Sequence, residues 1–223
     1  MTSRRARAAG WGGLLLAVLM LVTVGCAPAA RTEVPREARG KEVHAQRLTS
    51  FAVADEYLLE ATDSAPRQGS LDGCRDLRGD HTGYLWRCTV VRAATITGRD
   101  ADAALVEQRD RLAGLHCSAY PGLGTTRQRL AEGLEPRHLY EVDYHCPDRV
   151  MITIRFSEPD DNGLSTKLSL GELQYGPGTG NVVSNQPIPS AAVQQLRSDD
   201  SQQIIMVVAV IRTYWMMPDP ELQ

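Results

Sequence analysis

The segment Leu139–Phe156 reads LYEVDYHCPDRVMITIRF, and its pattern decides the fold class of the chain. Apolar and polar side chains alternate on both sides of Pro147-Asp148, a dipeptide typical of turns. Such alternation is the period of a β-strand with one buried and one solvated face. The segment therefore predicts a β-hairpin whose two strands are Leu139–Cys146 and Val150–Phe156.

Three further segments predict strands of the same sheet. Tyr84–Ile96 (YLWRCTVVRAATI) alternates apolar and polar residues, as a half-buried strand does. Ile204–Trp215 (IIMVVAVIRTYW) is apolar on every face, and seven of its twelve residues are Ile, Val or Thr. This composition favours a buried strand, although the lack of a clear period leaves a buried helix as an alternative. Leu164–Tyr175 predicts a less regular strand.

The other periodic segments predict helices. Lys41–Thr62 carries apolar residues, Leu48 and Leu58 among them, at helical spacing, and Arg99–Leu115 shows the same pattern. Ser190–Arg197 predicts a short third helix.

The stretches between these elements complete the predicted architecture. Ala65–Gly83 and Gly176–Ser190 are rich in glycine and polar residues, and both predict loops. Taken in chain order, the elements predict an α+β fold. In this fold, four or five antiparallel strands form one sheet, and two helices cover one of its faces.

The start of the chain has the layout of an export signal. A basic beginning is followed by the apolar run WGGLLLAVLMLVTVGC (Trp11–Cys26), and no acidic residue occurs among the first 25. A basic, then apolar, then small-residue order is that of a signal peptide. The apolar part is shorter than the about 20 residues that a membrane-spanning helix needs.

The box Thr23-Val24-Gly25-Cys26 makes this segment resemble a bacterial lipoprotein signal, although Thr23 stands where that family usually has leucine. The resemblance implies that residues 1–25 are removed and that the sulfur of Cys26 carries a diacylglycerol. It also implies residence on the extracytoplasmic side of the cell membrane, held there by the lipid. Cleavage after Ala29 or Ala30, as in a plain secreted protein, and an uncleaved anchor are the alternatives. The general secretory route is expected, although the arginine pair near the start leaves twin-arginine export open.

The rest of the chain divides into a tether and a domain. Residues 26–40 (CAPAARTEVPREARG) have no apolar period and contain two prolines, which predicts a flexible tether. Such a coil reaches roughly 20 Å. Residues 41–223 have the length of a single globular domain.

The four cysteines that follow Cys26 predict two disulfides, because an even number in an exported chain is typical of bridges. They are Cys74, Cys88, Cys117 and Cys146. Sequence alone allows three pairings, of which neighbouring pairs are favoured because they close the shortest loops. A zinc site is the alternative, since His116 and His145 stand beside two of the cysteines. Zinc ligands are usually spaced two to four residues apart, so no metal and no cofactor are expected.

The net charge and the absence of known catalytic motifs limit the classes of function that the sequence supports. Removal of the signal takes away three of the 24 basic residues and none of the 27 acidic ones, which leaves a net charge of about −6. An acidic surface argues against nucleic acid as a partner. Hydrolase and nucleotide-binding motifs are missing from the sequence. A non-catalytic envelope lipoprotein that binds a protein or a small ligand is therefore expected.

One row of polar residues supports an alternative function. Glu141, Asp143 and His145 lie on the same face of a predicted strand. Two carboxylates and an imidazole in a cleft can perform acid–base chemistry, so an extracellular hydrolase is the second hypothesis. On an open sheet, the same row is an ordinary solvated face or a binding surface.

Overall fold

A seven-stranded antiparallel sheet organises the described part of the chain. The computed structural model describes residues 33–78, 82–98, 101–119, 140–157, 180–199 and 204–221. The strands are β1 Gly69–Asp76, β2 Tyr84–Gly98, β3 Ser118–Ala119, β4 Tyr140–Cys146, β5 Val150–Ser157, β6 Gly180–Gln186 and β7 Ile204–Pro218. Their order across the sheet is β3-β4-β5-β7-β2-β1-β6.

Helices cover both faces of this sheet. They are α1 Lys41–Ala61, α2 Ala101–Gly114 and α3 Ser190–Asp199, and a 3₁₀ turn at Arg36–Arg39 precedes α1. Helices α1 and α2 share one apolar core with the first face, and α3 packs on the second. None of the described helices is long and apolar enough to cross a membrane.

Strand β7 lies at the centre of the sheet, and this position explains why it is apolar throughout. It pairs with β2 on one side and with β5 on the other. Met206 and Val208 belong to the core under α1, whereas Ile205 and Val207 belong to the core under α3. A strand covered on both faces has no polar side, so the strand predicted for Ile204–Trp215 is confirmed and the helix alternative is wrong.

The hairpin and the helices agree with the sequence predictions. Strands β4 and β5 pair in register from Tyr140↔Phe156 to Cys146↔Val150. Helix α1 buries Val43, Ala54 and Leu58, but Leu48, predicted on its apolar stripe, is 55% exposed. The buried residues of α1 are Val43, Ser50, Ala54, Leu58 and Ala61, so the face that packs on the sheet differs from the predicted stripe.

Two parts of the predicted architecture are wrong. The described sheet has seven strands rather than four or five, because β1 and β6 form within the predicted loops Ala65–Gly83 and Gly176–Ser190 and the two-residue strand β3 adds to one edge. The helices cover both faces rather than one, because α3 buries Val193 on the second face. The strand predicted for Leu164–Tyr175 lies outside the described residues.

Strands β1 and β6 lack the usual sequence signal of a strand for physical reasons. Strand β1 (GSLDGCRD) buries polar side chains, so its apolar alternation is lost. Strand β6 (GNVVSNQ) ends the sheet order and exposes Val182 and Val183 by 52% and 60%. Periodicity detects a strand with one apolar face, and neither strand has that pattern.

Both predicted disulfides are present. Cys74 of β1 is bonded to Cys88, the residue directly opposite on β2. Cys117, the residue directly before β3, is bonded to Cys146 at the end of β4. The favoured pairing of neighbours is therefore the one found.

Candidate functional site

A buried polar cluster joins helix α1 to the sheet. Asp72 of β1 is fully buried, and its Oδ2 accepts a hydrogen bond from Nε of Arg47 on α1 at 2.5 Å. The hydroxyl of Tyr214 on β7 donates to Oδ1 of the same carboxylate at 3.1 Å. Burial, and then the charge of Asp72, raise the pKa of Tyr214. The phenol therefore stays protonated and keeps donating to the carboxylate.

A second charged group lies further along the same helix. Nε of Arg92 on β2 is 3.0 Å from Oδ1 of Asp55 on α1, and Nη1 of Arg92 donates to Oγ of Ser70 at 2.6 Å. The Arg92 guanidinium also stacks 4.1 Å from the ring centre of Phe51. Burial lowers the pKa of Arg92, and the nearby charge of Asp55 acts in the opposite direction. Helix α1 is thus fixed to the sheet by paired charges as well as by apolar packing.

A groove of about 460 Å³, called the polar groove below, opens beside the first half of α1. Three separate segments line it: α1, the β4–β5 turn and the end of β7. The lining residues are Ala45, Gln46, Thr49, Ser50, Asp148, Arg149, Arg212, Thr213 and Tyr214. All except Ala45 carry a polar side chain.

Arg212 is held in place within the polar groove. Its Nη1 donates to Oγ of the buried Ser50 at 2.7 Å, and its Nε donates to the carbonyl oxygen of Asp148 at 3.3 Å. These bonds attach the end of β7 to α1 and to the β4–β5 turn. The guanidinium is therefore oriented before any ligand arrives.

The β4–β5 turn has left-handed backbone at two residues. Asp148 and Arg149 have φ values of 59° and 61°, and the N–H of Val150 donates to the carbonyl of Pro147. This is the conformation of a type I′ hairpin turn, in which aspartate is common at the first of these positions and glycine at the second, so Arg149 is the unusual residue. Left-handed backbone in other residues is often found at functional sites.

A second groove, of about 330 Å³, lies on the other side of α1 and is called the apolar groove below. Its walls include Val34, Ala38, Val43 and Val183, and its cations include Arg39. Tyr214 lines both grooves. The fully buried Asp72 thus fixes a side chain that the two grooves share.

The predicted row on β4 lines neither of these grooves. Asp143 is half-buried, and its Oδ1 accepts a hydrogen bond from Oγ1 of Thr153 at 2.6 Å. His145 is exposed, and the side chain of Glu141 lies outside the described residues. Thr153, opposite Asp143, is fully buried, so the centre of the row is only partly open to solvent. The hydrolase hypothesis stays a prediction.

The remaining predicted site residues concern lipid and metal. Cys26 lies outside the described residues. Cys117 and Cys146 are bonded to each other, so neither sulfur is available to bind zinc beside His116 or His145. Within the described ranges, no group of three or more His, Cys, Asp or Glu side chains is arranged to hold a metal ion.

Sequence reasoning did not find the polar groove. Its lining comes from residues 45–50, 148–149 and 212–214, which only the folded sheet brings together. Arg212 gave the one available signal, because it interrupts the apolar run IIMVVAVIRTYW. An arginine in an otherwise apolar strand needs a polar partner, and here Ser50 is that partner.

Comparison with known proteins does not place the chain in a family. No protein-family model matches it, and no match was found among the curated proteins or the solved structures. The functional interpretation therefore depends on the residues of the chain itself.

Proposed function

We propose that this chain is an exported lipoprotein, anchored by lipid on Cys26, whose domain binds a ligand or partner on the extracytoplasmic side of the cell membrane. The main supporting observation is that all cysteines after Cys26 form disulfides. The chain has five cysteines, and the four that follow Cys26 are bonded to one another. Disulfides persist in oxidising compartments outside the cytoplasm. Cys26, in its lipoprotein-like box, is the one remaining cysteine, and its thiol is the proposed site of lipidation.

Support for a binding role comes from the two grooves. Small-molecule sites are concave and have volumes of about 300–1,000 Å³. Both grooves fall within this range, at about 460 and 330 Å³. They lie on opposite sides of α1, which ion pairs hold to the sheet through Arg47 and Asp55. A site between rigid elements binds without a large ordering cost.

A non-catalytic role is favoured by the state of the charged groups near the grooves. Asp72 is already paired with Arg47. The raised pKa of Tyr214 keeps its hydroxyl protonated, so this residue is poorly suited to act as a general base. These groups serve structure and recognition in the proposed function.

Replacing Cys26 with serine tests the anchoring. A serine hydroxyl cannot accept the lipid in a thioether bond, so we expect Cys26→Ser to leave the membrane fraction or to accumulate with residues 1–25 attached. Fractionation of cells followed by mass measurement checks this. Ala27→Ser is the matched control, since it makes a small change one residue away and should leave the protein in the membrane. A Cys26→Ser protein with unchanged membrane fraction and unchanged mature mass would contradict the proposal.

A further inference from the structure

We propose that the polar groove binds a small polyhydroxylated anion, such as a sugar acid or a sugar phosphate. This inference deepens the proposed function, because it names the ligand class of a domain already proposed to bind. The recognised chemistry is one anionic group carried on a body rich in hydroxyl groups.

The lining of the groove fits a body rich in hydroxyls. Most small-molecule sites are lined mainly by apolar side chains, whereas eight of the nine residues that line this groove are polar. The hydroxyl of Thr213 and the amide of Gln46 can both donate and accept hydrogen bonds, whereas the Thr49 hydroxyl donates to the carbonyl oxygen of Ala45 and offers a ligand its acceptor capacity. A ligand covered with hydroxyl groups needs several hydrogen-bond donors and several acceptors in its binding site. An apolar ligand would leave these groups without hydrogen bonds, at a cost in affinity.

The charges of the groove fit an anion. The lining contains two arginines, Arg149 and Arg212, and one carboxylate, that of Asp148. The groove therefore carries one excess positive charge. Arg149 is exposed and makes no hydrogen bond or ion pair with the part of the chain that the structure describes. Its guanidinium is therefore available to a ligand.

Arg212 supplies the oriented donor. Its two hydrogen bonds use Nη1 and Nε, and its Nη2 has no partner among the described residues. A guanidinium fixed in this way presents paired N–H groups that match a carboxylate or a phosphate. Because Ser50 and the turn carbonyl already hold the side chain, little rotational freedom is lost on binding.

The apolar groove is a weaker candidate for an anion. Its cations are already paired, Arg39 with Glu33 and Arg47 with Asp72.

The test is titration calorimetry on the soluble domain, residues 27–223 with both disulfides formed. The probes are glucuronate, glucose 6-phosphate and glucose, with inorganic phosphate as the anion without a sugar body. A short oligomer of galacturonate distinguishes binding of a polymeric sugar acid from binding of a free monosaccharide. We expect both sugar anions to bind at least about tenfold more tightly than glucose and than phosphate, because charged hydrogen bonds add to the hydroxyl contacts. The affinity should fall as salt is added.

Two variants localise the binding. Arg149→Glu reverses an exposed charge in the polar groove, and it should weaken sugar-anion binding by about tenfold or more. Arg109→Glu is the matched control, since it reverses an exposed arginine on α2 that lines neither groove and should leave binding unchanged. Arg149 lies on the surface, so this variant should keep its fold, which circular dichroism checks.

Three results would overturn the inference. The first is that none of the probes binds. The second is that glucose binds with the same affinity as glucuronate and glucose 6-phosphate. The third is that Arg149→Glu leaves the affinity for the sugar anions unchanged. If they occur while Cys26→Ser still releases the protein, the ligand class is wrong and the membrane-anchored role stands. If the Cys26→Ser protein stays in the membrane fraction with an unchanged mature mass, the proposed function fails whatever the titration shows.

Discussion

Arg47→Met should lower the free energy of unfolding by about 3 kcal/mol, the lower end of the cost of removing one partner of a buried ion pair. Asp72 has no exposed surface, and Arg47 is the cation that neutralises it. Methionine keeps much of the apolar stem of arginine but leaves the carboxylate without its charged partner. The lower end applies because the Arg47 side chain is 27% exposed. Denaturant unfolding followed by circular dichroism measures the change.

The chain offers a matched control and a rescue for this prediction. Arg39→Met also removes an ion-pairing arginine, but the Arg39–Glu33 pair is exposed. Exposed pairs contribute about 0–1 kcal/mol, so this variant should be close to the parent protein. Adding Asp72→Leu to Arg47→Met removes both charges and should recover part of the loss. Equal effects of Arg47→Met and Arg39→Met would show that the buried cluster does not hold α1 in place.

Removing either disulfide should cost a similar amount. The bridges join residues 14 and 29 positions apart, and the loop-entropy relation gives about 3 kcal/mol for the shorter loop and between 3 and 4 for the longer. The double variants Cys74→Ala/Cys88→Ala and Cys117→Ala/Cys146→Ala should each show this loss. For a domain of this size, it corresponds to a fall in Tm of roughly 6–16 °C.

Thiol labelling supplies the control for the disulfide prediction. The native, metal-free protein should contain no cysteine that alkylates without reduction, apart from Cys26 in a form that carries no lipid. After reduction, the parent protein should unfold at a lower denaturant concentration than either double variant, because it has lost both bridges. Two or more reactive cysteines in the unreduced domain would contradict the pairing found here.

The strands that the sequence predicted correctly are those with a clear pattern of apolar residues. The β4–β5 hairpin has one apolar face, so alternation revealed it. The composition of β7, rich in β-branched residues, indicated a buried strand, and helices on both faces of the sheet explain why no period was visible. The disulfides followed from the number and spacing of four cysteines.

Strand β1 and the polar groove were missed for one physical reason, which is that their interaction partners lie far away along the chain. Strand β1 places Asp72 in the interior, and only α1 and β7 supply the arginine and the tyrosine that make this tolerable. The polar groove likewise combines α1, a hairpin turn and the end of β7. A local pattern cannot show that Ser50 and Arg212, which are 162 residues apart, are hydrogen-bonded.

The most direct test of the proposed anchoring is the intact mass of the mature protein extracted from cell membranes. The proposal predicts a chain that lacks residues 1–25, begins at Cys26 and carries the added mass of a diacylglycerol. It also predicts that the remaining four cysteines show no free thiol before reduction. A mature chain that retains residues 1–25, or one that begins after Cys26 and carries no lipid, would contradict it.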